Sequence, residues 1–101
     1  MSYQRIVCFK FKKDASAQAI QAHLDSFKAL KDQIPQIVAY SGGRATSGDH
    51  NLPPDYDTLH YLIFDSPADI DVYFHHEAHQ RFIEDNKAIW EKTFVLNAII
   101  E

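Results

Sequence analysis

The chain of 101 residues has one cysteine, three glycines and four prolines. A lone cysteine excludes an intrachain disulfide scaffold, and Cys8 lies in an apolar run, a pattern that suits a reducing, cytoplasmic setting. So little glycine and proline excludes collagen-like and low-complexity architectures. No run approaches the ~18 apolar residues of a membrane span, and the N-terminus lacks the basic, apolar and small-residue regions of a secretory signal. Excess positive charge is missing too. The formal net charge is -4, whereas a nucleic-acid backbone requires a basic stripe. Neither membrane nor nucleic acid is expected as a partner.

What the chain does have is apolar surface: 46% hydrophobic and 13% aromatic residues, in a length that suits one domain over residues 1–101. Charge is divided along it. Residues 1–48 carry seven basic and three acidic groups, and residues 49–101 carry three and eleven, so the halves stand at +4 and -8. That division predicts complementarity within the chain or between two copies of it.

Tyr3 to Phe11 mixes β-branched and aromatic residues and reads as a strand with faces Arg5, Val7, Phe9, Phe11 and Ile6, Cys8, Lys10. A helix capped by Asp14 or Ser16 follows, with the stripe Ile20, Leu24, Phe27, Lys31, Ile34, and Pro35 stops it. Ile37 to Ala45 is a second strand, where Gly42 and Gly43 predict a bulge or a close backbone approach. Thr46 to Asp57 is a loop, and Thr58 to Phe64 a third strand. Ser66-Pro67-Ala68-Asp69 starts a short helix, Glu77 to Lys92 continues helical, and Phe94 to Ile100 is a fourth strand. The order β-α-β-β-α-β specifies an α+β, ferredoxin-like split βαβ fold, a four-stranded antiparallel sheet with its helices on one face.

Helices on one face leave the other uncovered, yet strands one, three and four are apolar on both sides. The expected cover is the same face of a second copy, which makes the chain a homodimer through the open sheet.

Six histidines direct attention to His75-His76-Glu77-Ala78-His79. His75 and His79 have the spacing of two metal ligands on one helix, but further ligands are lacking, and no metal or other cofactor is expected.

The opening Ile6-Val7-Cys8-Phe9-Lys10-Phe11-Lys12, then Ile34-Pro35, Gly43-Arg44, Tyr56-Asp57 and the block from Tyr73 to Phe82 resemble the stress-responsive A/B barrel (Dabb) family of the dimeric α/β barrel superfamily. The resemblance spans almost the whole chain. It implies a ferredoxin-like protomer whose sheet pairs with its mate's into a dimeric α/β barrel. Most members have no established activity. The block Tyr-x-x-His-x-x-His-x-x-Phe is also similar to that of the family's olivetolic acid cyclase-like polyketide cyclases, which implies an aldol-type ring closure with His79 as general base and Tyr73 as hydrogen-bond donor to the carbonyl. Arg5 and Thr58 stand where those cyclases carry histidines, and Glu77 where the family usually has proline.

Sheet and helix periodicities turn His60 and His23 to the same interior. With Tyr73, His79 and Arg5, which the resemblance singles out, they suggest a ligand cavity between sheet and helices, with His76 as a further binding candidate and Val7, Phe9, Phe27, Phe82 and Trp90 as apolar walls. Each has a plainer reading. His76 and His79 can cap the break between two helical pieces, His23 and His60 can be bonded core residues, Arg5 can pair with an acid of the other half, and the aromatics can be core. Three functions follow: a stress-responsive dimer, non-catalytic or binding a small apolar or aromatic molecule; a cofactor-independent cyclase; or a cofactor-free monooxygenase of the related barrels.

Overall fold

Alternation along the first strand sets the sheet. Arg5, Val7, Phe9 and Phe11 are buried and the residues between them only half-buried, so one face of this strand makes the core. The computed structural model describes all 101 residues, in the order β1 (Ser2–Phe11), α1 (Ala17–Gln33), β2 (Ala39–Arg44), β3 (Thr58–Phe64), α2 (Pro67–His75), α3 (Glu77–Asn86) and β4 (Trp90–Ile100). The strands lie in the order β2-β3-β1-β4 and every neighbouring pair is antiparallel. This is the expected split βαβ arrangement, with its second helical connection divided into α2 and α3.

The caps are local chemistry. Ser16, not Asp14, starts α1: its hydroxyl accepts from the Ala19 N–H at 3.0 Å. Ser66 accepts likewise from Asp69 N–H at 3.2 Å, with Pro67 opening α2. Helix α1 turns His23, Phe27 and Leu30 to the sheet. The stripe expected through Leu24 and Lys31 is only half-buried, because the inward face is rotated toward His23 and Leu30.

Two boundaries differ from expectation. Strand β2 is confined to Ala39–Arg44, and it runs in register with β3 past Gly42 and Gly43, so the glycines make no bulge. The irregularity lies between Lys10 and Phe11, opposite the start of β4. The helix expected to reach Lys92 ends at Asn86, whose side-chain amide donates to the Phe82 carbonyl at 2.9 Å and to the Ser26 hydroxyl at 3.1 Å. A single turn, Lys87–Ile89, then delivers Trp90 into β4 opposite Phe11.

The charge division is not resolved inside the chain. The Lys87–Glu84 ion pair and the His75–Asp71 contact both lie within the acidic half. On the sheet face away from the helices, Leu59, Phe94, Leu96 and Ile100 are exposed. No helix is long and apolar enough to cross a membrane.

Candidate functional site

A chamber of about 170 Å³ lies between the helices and the β1–β4 side of the sheet. Strand β1 contributes Arg5, Val7 and Phe9, and α1 contributes Phe27. Tyr73 and Phe74 come from α2, His79, Phe82 and Ile83 from α3, and Trp90, Thr93 and Val95 from β4. The expected residues Arg5, Val7, Phe9, Phe27, Tyr73, His79, Phe82 and Trp90 therefore meet here. His23, His60 and His76 do not.

The break between α2 and α3 orients the two polar residues at the centre. His76 lies in the break and caps α3, its Nδ1 accepting from the Ala78 N–H at 3.0 Å. The reversal brings His79 Nδ1 to 2.9 Å from the Phe74 carbonyl oxygen. A carbonyl only accepts, so Nδ1 carries the proton and Nε2 the free lone pair. Burial lowers the His79 pKa, with the Phe74 bond working against it, so the ring is a neutral base. The rings of Tyr73 and His79 are 4.5 Å apart. Tyr73 is fully buried and its hydroxyl has no hydrogen-bond partner. Burial pushes its pKa up to about 12 against the opposing pull of Arg5, so the phenol remains a proton donor.

Arg5 completes this group. It is 9% exposed, its Nη1 donates to Asn97 Oδ1 at 3.1 Å, and its Cζ lies 5.6 Å from the centre of the Tyr73 ring. The expected pairing with an acidic residue is not made within the chain. Beyond Arg5 and Phe74, which line both spaces, a cleft of about 650 Å³ separates α2 from β4.

His23 and His60 have no exposure and do not line the chamber; their rings pack on its wall residues, His23 on Phe9 and His60 on Phe27. His60 Nδ1 meets the Tyr40 hydroxyl at 2.8 Å, and neither nitrogen of His23 has a partner. Burial lowers His23 to about 4; burial first, and then His23, lowers His60 to about 3. These are core residues, displaced from the cavity wall because β3 and α1 cover them together.

The spacing of His75 and His79 is not realised on one helix, since α2 ends at His75 and α3 begins at Glu77. His75 turns to the Asp71 carbonyl and His79 to that of Phe74. No cluster of three or more histidine, cysteine, aspartate or glutamate residues could hold a metal ion. Phe74, Ile83, Thr93 and Val95 of the chamber, and Asn97 that bonds Arg5, are not among the residues expected at the site. Asn97 leaves a signal, a single amide between Val95 and Ile99 on the same face of the otherwise apolar run Phe94–Ile100.

Comparison with known proteins agrees with this architecture. A hydroxynitrile lyase from Passiflora edulis superposes with a TM-score of 0.88 at 22% identity, over 99% of this chain and 94% of that one. A Dabb family protein from Mesorhizobium loti with a ferredoxin-like fold gives 0.82 at 19%, over 99% and 97%. A dimeric ferredoxin-like protein of unknown function from Thermobifida fusca gives 0.83 at 14%, over 99% and 92%. At such identities the likeness is one of fold. No curated protein matches the sequence. The stress responsive A/B barrel domain, however, matches residues 4–100, and the chain belongs to that family.

Proposed function

We propose that the chain works as a homodimer, paired through its open sheet face, and that each protomer binds a small, mostly apolar molecule in the chamber beside Tyr73 and His79. The observation that carries the ligand reading is the pairing of a buried, unpartnered donor with a buried, oriented acceptor. The Tyr73 hydroxyl has no partner, and the Phe74 carbonyl fixes the His79 tautomer that leaves Nε2 free. The residues Tyr73 and His79 line a space walled by Val7, Phe9, Phe82 and Trp90. Apolar walls with a few convergent polar groups are the usual character of a small-molecule site.

Pairing is supported by the register of the open face. Leu59, Cys8 and Phe94 stand opposite one another across three strands, as do Tyr61, Ile6 and Leu96. These two apolar rows continue to Ile100 and form a contiguous patch, which favours a partner surface. The Thermobifida fusca relative is described as dimeric.

A second reading follows from the same tautomer. A neutral His79 with a free Nε2, next to a phenol that stays protonated, can take a proton from a substrate while Tyr73 holds the carbonyl oxygen. In polyketide cyclisation the proton leaves the carbon beside one carbonyl, the enolate bonds to a second carbonyl carbon, and the new alkoxide takes the proton back. In cyanohydrin cleavage the proton leaves the hydroxyl, the bond to cyanide breaks as the carbonyl forms, and cyanide departs with the proton. Neither reaction needs a cofactor. The Passiflora edulis relative is a hydroxynitrile lyase.

Trp90 is the only tryptophan and lines the chamber, so its fluorescence reports occupancy. Titration with a panel of small aromatic and alkyl carbonyl compounds, acids and amides included, is expected to give a saturable change. The absence of one across the panel overturns the binding reading. Incubation of wild type and His79→Ala with linear polyketide thioesters and cyanohydrins tests catalysis, and equal turnover by both removes His79 as the base. Sedimentation is expected to give twice the 11.6 kDa chain mass for wild type and one chain for Leu96→Glu. A wild-type monomer refutes the dimer.

A further inference from the structure

We propose that Arg5 is an anion-receiving residue and that the molecule bound in the chamber is a monocarboxylate with an apolar body; this rests on the ligand-binding reading above and names its ligand class. Arg5 projects from β1, between Leu62 of β3 and Asn97 of β4 in the sheet register, into the space beneath the helices. Its residue surface is more than nine-tenths buried, which for a guanidinium calls for a compensating anion. The chain supplies none. No carboxylate lies within ion-pair distance, and the one hydrogen bond of the side chain goes to the neutral amide of Asn97. Nε is buried without a partner, and so is the hydroxyl of Tyr73, over whose ring the guanidinium lies. Arg5 and Tyr73 both line one apolar space, and each keeps a buried donor that the chain itself leaves unused, the combination that would receive an oxygen acceptor.

The chemistry of that acceptor follows from charge and shape. Arginine presents a planar fork that matches the two oxygens of a carboxylate. Arg5 is the only lysine or arginine lining either the chamber or the adjoining cleft, and the cleft adds the carboxylate of Asp71. One cation with an acid nearby favours a monoanion over a phosphate dianion. The walls of Val7, Phe9, Phe82 and Trp90 then require the remainder of the ligand to be apolar.

The test compares two isosteric probes, phenylacetate and phenylacetamide, titrated calorimetrically into wild type and Arg5→Gln. Phenylacetate is expected to bind wild type about tenfold or more tighter than the amide, since the guanidinium meets a carboxylate anion instead of a neutral carbonyl. In Arg5→Gln the preference for phenylacetate over phenylacetamide is expected to disappear, phenylacetate losing more affinity than the amide. The Arg5 Nε–H resonance of wild type, followed by NMR, is expected to move with phenylacetate and not with phenylacetamide, and it keeps the assignment testable should the variant not fold. Equal affinity of both probes for wild type, or a still Nε–H resonance on saturation with phenylacetate, overturns the role of Arg5 and leaves the binding site standing. Failure of both probes to bind wild type overturns the binding site and the role of Arg5 together.

Discussion

The imidazole of His60 stacks on the ring of Phe27 with centroids 3.9 Å apart and planes 16° from parallel. His23 lies 6.0 Å from His60, enclosed edge-on by Phe9 and Phe11 at 4.5 and 5.0 Å. Two imidazoles are thus handled as aromatic core, and only their neutral forms fit.

Acid sensitivity follows from that burial. The unfolded chain protonates both histidines as pH falls through about 6.5, whereas the folded chain holds off until about 4 for His23 and about 3 for His60. Over that interval the unfolded state binds more protons. Stability is therefore complete above about pH 6.5 and declines as pH drops toward 4, each histidine adding a slope of up to about 1.4 kcal/mol per pH unit. His23 makes no side-chain hydrogen bond, so His23→Phe loses none and is expected to be neutral to stabilising near pH 7. Its Tm is expected to fall less than that of wild type between about pH 7.5 and about pH 5. Equal falls in the two proteins exclude a contribution from His23.

Gly42 is the backbone counterpart of the same cluster. A Cβ built there would overlap the Tyr40 hydroxyl and lie 2.9 Å from His60 Nδ1, the two atoms joined by the 2.8 Å hydrogen bond. Gly42→Ala is expected to separate them and cost about 1–3 kcal/mol, the loss of a buried bond plus overpacking. At Gly43 an added Cβ meets nothing, so Gly43→Ala is expected to leave the denaturation midpoint within about 0.5 kcal/mol of wild type. Urea unfolding of the pair distinguishes a packing requirement at one position from a general intolerance of side chains in β2.

Period-two alternation in β1 and the punctuation at Pro35 and Ser66 made the succession of strands and helices, the end of α1 and the start of α2 readable from residues alone. The end of α3 was not readable in that way. Ile89 and Trp90 extend the helical apolar pattern past Asn86, and only the bonds of that asparagine to Phe82 and Ser26 turn the chain aside. At the site, the Tyr73 to Phe82 block marked the polar centre, but periodicity could not separate His60 from a cavity wall. Depth decides that, and depth depends on where α1 and β3 press together. Phe74 was passed over for a related reason, since its carbonyl, not its side chain, fixes His79.

Tyr73 separates function from packing in one substitution. The hydroxyl is fully buried and bonded to nothing, while the ring packs on Phe64 at 5.3 Å and on His79 at 4.5 Å. Tyr73→Phe keeps those ring contacts and removes a desolvated polar group. Were the hydroxyl only a core atom, the variant would be as stable as wild type or more so, by up to about 1 kcal/mol, and would bind ligands equally well. If it is the donor that a carbonyl or carboxylate meets, the same variant gains or holds stability yet loses about tenfold in affinity for phenylacetate, the cost of one hydrogen bond to a charged acceptor. Stability and affinity moving in opposite directions identify a group kept for its ligand. Unchanged affinity in Tyr73→Phe, read by Trp90 fluorescence, removes the hydroxyl from the site and leaves Arg5 to hold the ligand alone.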